Sequence, residues 1–71
     1  MIDKTKRKQL GDSIRRNRQK QRYSQQTLAA MIGTSKSHIW RIENGRVSVG
    51  IDEIVAISKA LDVAVRSLID F

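Results

Sequence analysis

Between Ser24 and Gly45 the chain carries two short helical patterns divided by one glycine, Gly33. No other stretch limits the possible folds as tightly. Ser24 is a good N-cap for the first pattern, and Leu28, Met31 and Ile32 supply its buried face. Gly33 follows the last apolar residue, where a left-handed residue closes a helix. Thr34 or Ser35 then caps the second pattern at once. So short a break forces a sharp crossing between the helices and rules out an antiparallel hairpin.

A helical wheel at ~100° per residue sorts the second pattern. With Ser37 at the origin, Lys36, Trp40, Arg41 and Asn44 fall within about 100° of it, and Ile39 and Ile42 fall on the far side. Two isoleucines therefore anchor a helix that presents Lys, Ser, Trp, Arg and Asn outward. His38 lies at one margin of the apolar face and Glu43 at the other. Two crossed helices with a cationic outer face on the second have the layout of a helix-turn-helix, whose second helix enters the major groove of DNA.

The flanking chain is helical too. Residues 1–8 are polar and are expected to form a flexible basic N-terminus or a first helical turn. A helix is predicted from about Lys6 to Gln21, with Leu10, Ile14, Asn17 and Gln21 on its inner stripe and Arg15, Arg16 and Lys20 opposite. Asn44-Gly45 ends the helix that begins near Ser35, and Arg46 to Gly50 form a loop. Gly50 caps a fourth helix, Ile51 to Leu61, with Asp52 and Glu53 in the first turn where the helix dipole favours them. Its apolar stripe (Ile51, Ile54, Val55, Ile57, Ser58, Leu61) is wider than one neighbour needs, so part of it is expected to face a second subunit. A short fifth helix, about Val65 to Ile69, follows. With no proline and few β-branched alternations, the fold class is all-α.

Charge sharpens the functional reading. Residues 1–22 hold nine basic and two acidic groups, which accounts for the whole net charge of +7; residues 23–71 balance at five of each. A molecule with one basic side suits a polyanion on that face. The plainer alternative, a merely solvated cationic face, applies best to residues 3–8. Cysteine is absent and histidine occurs once, so disulfides, thiolate sites and a protein-only zinc site are not expected. No apolar run nears the ~20 residues of a membrane span, and no secretory h-region follows the basic N-terminus. The expectation is one soluble, cytoplasmic domain over residues 1–71 with no metal, cofactor, membrane or small-molecule partner.

Reading a base pair in the major groove needs side chains with paired donors or acceptors on a helix the groove admits. Arg41 is suited to guanine, and Lys36 and Ser37 sit in the first turn, where recognition helices touch base edges. Gln25, Gln26, Thr34, Ser35, Trp40, Asn44 and Arg46 form the expected phosphate-contacting set, Gln25 because it follows a helix N-cap. Trp40 is expected either to pack on sugar-phosphate or to be partly buried against the loop after Asn44. His38 is read as a margin residue with a phosphate within reach, not as a metal ligand. Glu43 is expected to pair with Arg18, either half-buried or as an ordinary surface pair.

These residues are similar to those of the Cro/CI-type helix-turn-helix family of phage repressors, restriction-modification controller proteins, antitoxins and small bacterial regulators. The resemblance rests on Ile14-Arg15 with Arg18, Ser24-Gln25 with Leu28-Ala29, and Gly33. It continues through Ser35, Ile39, Ile42-Glu43 with Gly45, and Ala60-Leu61 with Val63 and Leu68. It spans about residues 10–69 and implies a five-helix domain like that of lambda-type phage repressors, with the helix-turn-helix at helices 2 and 3. It further implies that Gln25 contacts phosphate, that Lys36, Ser37 and Arg41 read bases, and that Arg18 and Glu43 form a buried ion pair. Three departures stand out: Asn17 replaces an apolar residue, Arg22 replaces a glycine before the second helix, and the loop Val47-Ser48-Val49-Gly50 lacks a common proline.

The reading that follows is a transcriptional regulator that binds an inverted repeat in double-stranded DNA as a homodimer, with Val55, Val65, Leu68, Ile69 and Phe71 at the seam. The alternative is an antitoxin-like module whose C-terminal Ile69-Asp70-Phe71 binds another protein. An enzyme is not expected: there is no nucleophile–base pair, no paired carboxylates and no phosphate-cradling glycine loop.

Overall fold

The computed structural model describes residues 4–71. All regular structure among them is helical: α1 (Lys4–Lys20), α2 (Gln25–Ile32), α3 (Lys36–Glu43), α4 (Ile51–Ala60) and α5 (Val65–Leu68). Lys4–Lys8 form the opening turns of α1, as the first-turn alternative expects; Met1–Asp3 lie outside the described residues. Good helix formers in this basic run extend α1 beyond the predicted start at Lys6.

Four helices end in the same way. A left-handed residue at or just after the C-cap closes each: Arg22 at φ 60°, Gly33 at 74°, Gly45 at 69° and Asp62 at 56°. The next N–H then bonds back five residues, Tyr23 to Arg18, Thr34 to Ala29, Arg46 to Arg41 and Val63 to Ser58, at 2.8–3.2 Å. This motif satisfies carbonyls that a helix end otherwise leaves open. Arg22 keeps the geometry that a glycine would adopt freely, so the departure noted in the sequence is strained by roughly 1–2 kcal/mol and not rebuilt.

The core is a single cluster of Leu10, Ile14, Leu28, Ala29, Ile39, Ile42, Val49, Ile54, Ile57, Leu61 and Leu68. The inner face of α1 runs through Leu10, Gly11, Ser13, Ile14 and Arg18, rotated from the stripe predicted. Asn17 is half-buried and donates to the Ser13 carbonyl at 2.9 Å. Gln21 is exposed, with its amide donating to the Leu61 carbonyl at 2.9 Å. Met31 is exposed rather than buried. The buried face of α2 centres on Leu28 and Ala29, and Met31 lies about 100° round the helix from that centre.

Leu68 cannot serve at a subunit seam. It is fully buried, because a one-turn helix packed on α1 and α4 has only this side chain to fill the gap between them. Val65 is also packed against the core and partly withdrawn. Ile69 and Phe71 remain 45% and 44% exposed. The Lys6 ammonium lies 5.5 Å from the centre of the Phe71 ring.

The contact that seats α3 is ionic. Glu43 is 0% exposed and Arg18 8%. Arg18 Nε donates to Glu43 Oε2 at 2.7 Å, and Nη2 donates to Oε1 at 3.0 Å. The third guanidinium nitrogen, Nη1, donates to the Tyr23 carbonyl at 2.8 Å. Above this pair the two helices nearly touch: a Cβ on Gly11 would lie 2.4 Å from the Ile42 carbonyl oxygen and 2.6 Å from that of Glu43. A glycine inside a helix costs about 1 kcal/mol, yet here it permits an approach that no side chain allows.

Two stability measurements check this arrangement. Glu43→Gln leaves the Arg18 charge buried without its counter-charge and is expected to cost about 3–5 kcal/mol in chemical denaturation. A loss below ~1 kcal/mol is what an exposed pair would show and would contradict this reading. Gly11→Ala is expected to lower stability despite its better helix propensity, because added bulk against fixed backbone costs about 1–3 kcal/mol. A rise in thermal midpoint would show that α1 and α3 are not held at this separation.

Candidate nucleic-acid interface

Two serine caps set the directions of α2 and α3. Ser24 accepts the Thr27 N–H at 3.0 Å and Ser35 accepts the His38 N–H at 3.1 Å. Between them Gly33 turns the chain. Ile39 and Ile42 are buried in the core, whereas Lys36, Ser37, Trp40 and Arg41 are exposed. With Gln25 from the first turn of α2, these four line one open cleft of about 460 Å³. Gln26 and Ser35 are exposed nearby in sequence, and Thr34 and Asn44 are partly buried. The base-reading candidates and Gln25 thus share one surface.

Gln25 has a second attachment that sequence spacing does not reveal. Its amide donates to Glu43 Oε1 at 3.1 Å, joining the start of α2 to the buried ion pair. Eighteen residues separate the partners, and only the burial of Glu43 against a neighbouring helix N-terminus could have suggested the contact. Trp40 is 45% exposed, and the Arg46 guanidinium stacks over its ring at 5.7 Å. Arg46 belongs to the loop after Asn44, so the indole is partly covered from that side. Asn44 closes α3, its side-chain amide donating to the Trp40 carbonyl at 2.8 Å.

His38, at the margin of the apolar face, is half-buried and engaged within the fold. Its Nε2 lies 2.6 Å from Glu53 Oε2, linking α3 to the first turn of α4. The reason is directional: the margin of the apolar face on which His38 sits turns toward α4.

A second open cleft, about 670 Å³, lies at the other end of α3, lined by Lys4, Thr5, Lys8, Gln9, Asn44, Gly45 and Arg46. No acidic side chain lines either cleft. Among the described residues the carboxylates that form ion pairs are engaged elsewhere: Glu43 with Arg18, Glu53 with His38, and Asp12 with Lys8 and Arg15. Lys36 and Arg41 enter no ion pair with described residues. The outer side of α3 is therefore cationic, rich in donors and open. No helix among the described residues is long and apolar enough to cross a membrane.

Residues 14–68 match the helix-turn-helix family (HTH_3). Over 52 residues, 73% of the chain, the sequence is 36% identical to an uncharacterized HTH-type transcriptional regulator, y4dL, of Sinorhizobium fredii. That stretch covers 26% of the relative, so the chain spans about a quarter of its length. Among solved structures, the restriction-modification controller protein C.AhdI of Aeromonas hydrophila aligns with a TM-score of 0.88 and 29% identity, over 92% of this chain and 94% of that one. The hypothetical transcription factor NHTF from Neisseria aligns with a TM-score of 0.86 and 26% identity, over 94% and 78%. The chain belongs to the helix-turn-helix (HTH_3) family.

Proposed function

We propose that this chain binds double-stranded DNA sequence-specifically, with α3 in the major groove, as a homodimer on an inverted repeat. The observation that carries this reading is the division of α3: Ile39 and Ile42 are sealed in the core while Lys36, Ser37 and Arg41 open on one cleft. Arg41 offers guanine O6 and N7 a two-pronged donor, and Lys36 and Ser37 meet base edges from the first turn. Gln25, Gln26, Thr34, Ser35, Trp40, Asn44 and Arg46 hold the backbone and set the register.

One eight-residue helix in one groove discriminates among few base pairs. A two-fold dimer adds a second half-site about one helical turn away and squares the discrimination. Exposed Ile69 and Phe71, with half-buried Val55, are the apolar residues left for the seam once Leu68 is assigned to the core.

The test begins with selection of binding sites from random duplexes. Arg41→Ala is expected to cost about 1–3 kcal/mol on the selected site and to relax preference at one base pair per half-site. Gln25→Ala is expected to weaken binding to all duplexes alike. Unchanged affinity and selectivity in Arg41→Ala would remove that residue from base reading, and a wild-type chain indifferent to sequence would overturn the proposal.

A further inference from the structure

We infer that the second cleft is a phosphate clamp in which Lys4 and Lys8, from the first two turns of α1, hold the DNA strand opposite the one engaged at Gln25. This inference rests on the major-groove reading above and adds to it residues outside the helix-turn-helix. An eight-residue helix rises about 12 Å, close to the width of the major groove. A helix of that span seated in the groove brings its two ends toward the two phosphate walls. At its first end lie Lys36 and Gln25; at its last end lie Asn44, Gly45 and Arg46, together with Lys4 and Lys8.

The fold forces this second grouping. Gly45 sits so close to α1 that a Cβ there would lie 3.0 Å from both Cα and N of Lys8. The loop backbone thus rests on α1 and carries Arg46 to the side where the lysines emerge. Stacking on Trp40 holds the Arg46 guanidinium between the two clefts. Three cations and no carboxylate line a concavity open to solvent. Lys8 does pair with Asp12, at 3.2 Å, but its side chain is 52% exposed. Such surface pairs contribute little and yield readily to a phosphate. The chemistry recognised is a non-bridging phosphodiester oxygen, which every sequence presents alike, so the clamp is blind to sequence.

The experiment measures affinity for a duplex selected by the wild-type chain, as a function of salt. Each phosphate contact contributes about 0.9 to the slope of log affinity against log salt. The Lys4→Gln/Lys8→Gln variant is expected to lower the slope by about 1.8 per bound subunit, about 3.6 for a dimer on its site, and to leave the selected sequence unchanged. A control variant, Lys59→Gln/Arg66→Gln, removes the same charge from exposed positions on α4 and α5 that line neither cleft. Its slope is expected to stay within about half a unit of wild type. Equal slopes for both variants would overturn the clamp, whether both fall or neither does. If Arg41→Ala still relaxed selectivity in that case, the major-groove reading would stand without it. If the wild-type chain selected no sequence, both would fall.

Discussion

The contact between Arg18 and Glu43 is the constraint on which the rest of the molecule depends. An eight-residue helix such as α3 is too short to hold its shape or direction by its own hydrogen bonds. Its orientation comes from outside: two isoleucines in the core, backbone contact at Gly11, and a carboxylate gripped by a guanidinium from α1. Burial of both charges is costly, and the geometry offsets that cost with two parallel bonds, a further bond to the Tyr23 carbonyl and a donor from Gln25. A hydrophobic pair of the same volume would pack as well but would not fix the rotation of α3 about its axis. The ion pair does, since its bonds are satisfied at one rotation only.

That arrangement also sorts charge. Glu43 is the sole acid on α3, and withdrawing it into the fold leaves the outward surface to Lys36 and Arg41. Glu53 is turned toward His38, and Asp12 is shared by Lys8 and Arg15. The cationic surface beside α3 is thus a consequence of where the carboxylates are held as much as of how many lysines and arginines the chain has. Low-dielectric surroundings make the same pair structural, and solvent makes the remaining cations available to a polyanion.

Much of this was legible before any coordinates. The glycine at 33, the serine caps and the apolar spacing on both sides define α2 and α3, because local chemistry alone dictates them. Arg18 and Glu43 stand out as a charged pair at the margins of two apolar faces. What the sequence hides are consequences of packing between helices. Gly11 looks like a weak point in α1 until Ile42 and Glu43 are brought against it. Leu68 reads as an exposed apolar residue until α5 proves one turn long and dependent on it. His38 has no local clue to Glu53, and Gln25 has none to Glu43. Lys4 and Lys8 look like a solvated tail because nothing nearby in sequence shows that the loop at Gly45 returns to them.

The most direct measurement of the central claim is amide chemical-shift mapping of the labelled chain during titration with its selected duplex. Residues of α3 from Lys36 to Arg41 and the first turn of α2 are expected to shift most. The outer part of α4 should move little. Shifts concentrated on α4 and α5, with Lys36, Ser37 and Arg41 unmoved, would contradict the account that the ion pair seats α3 to read DNA.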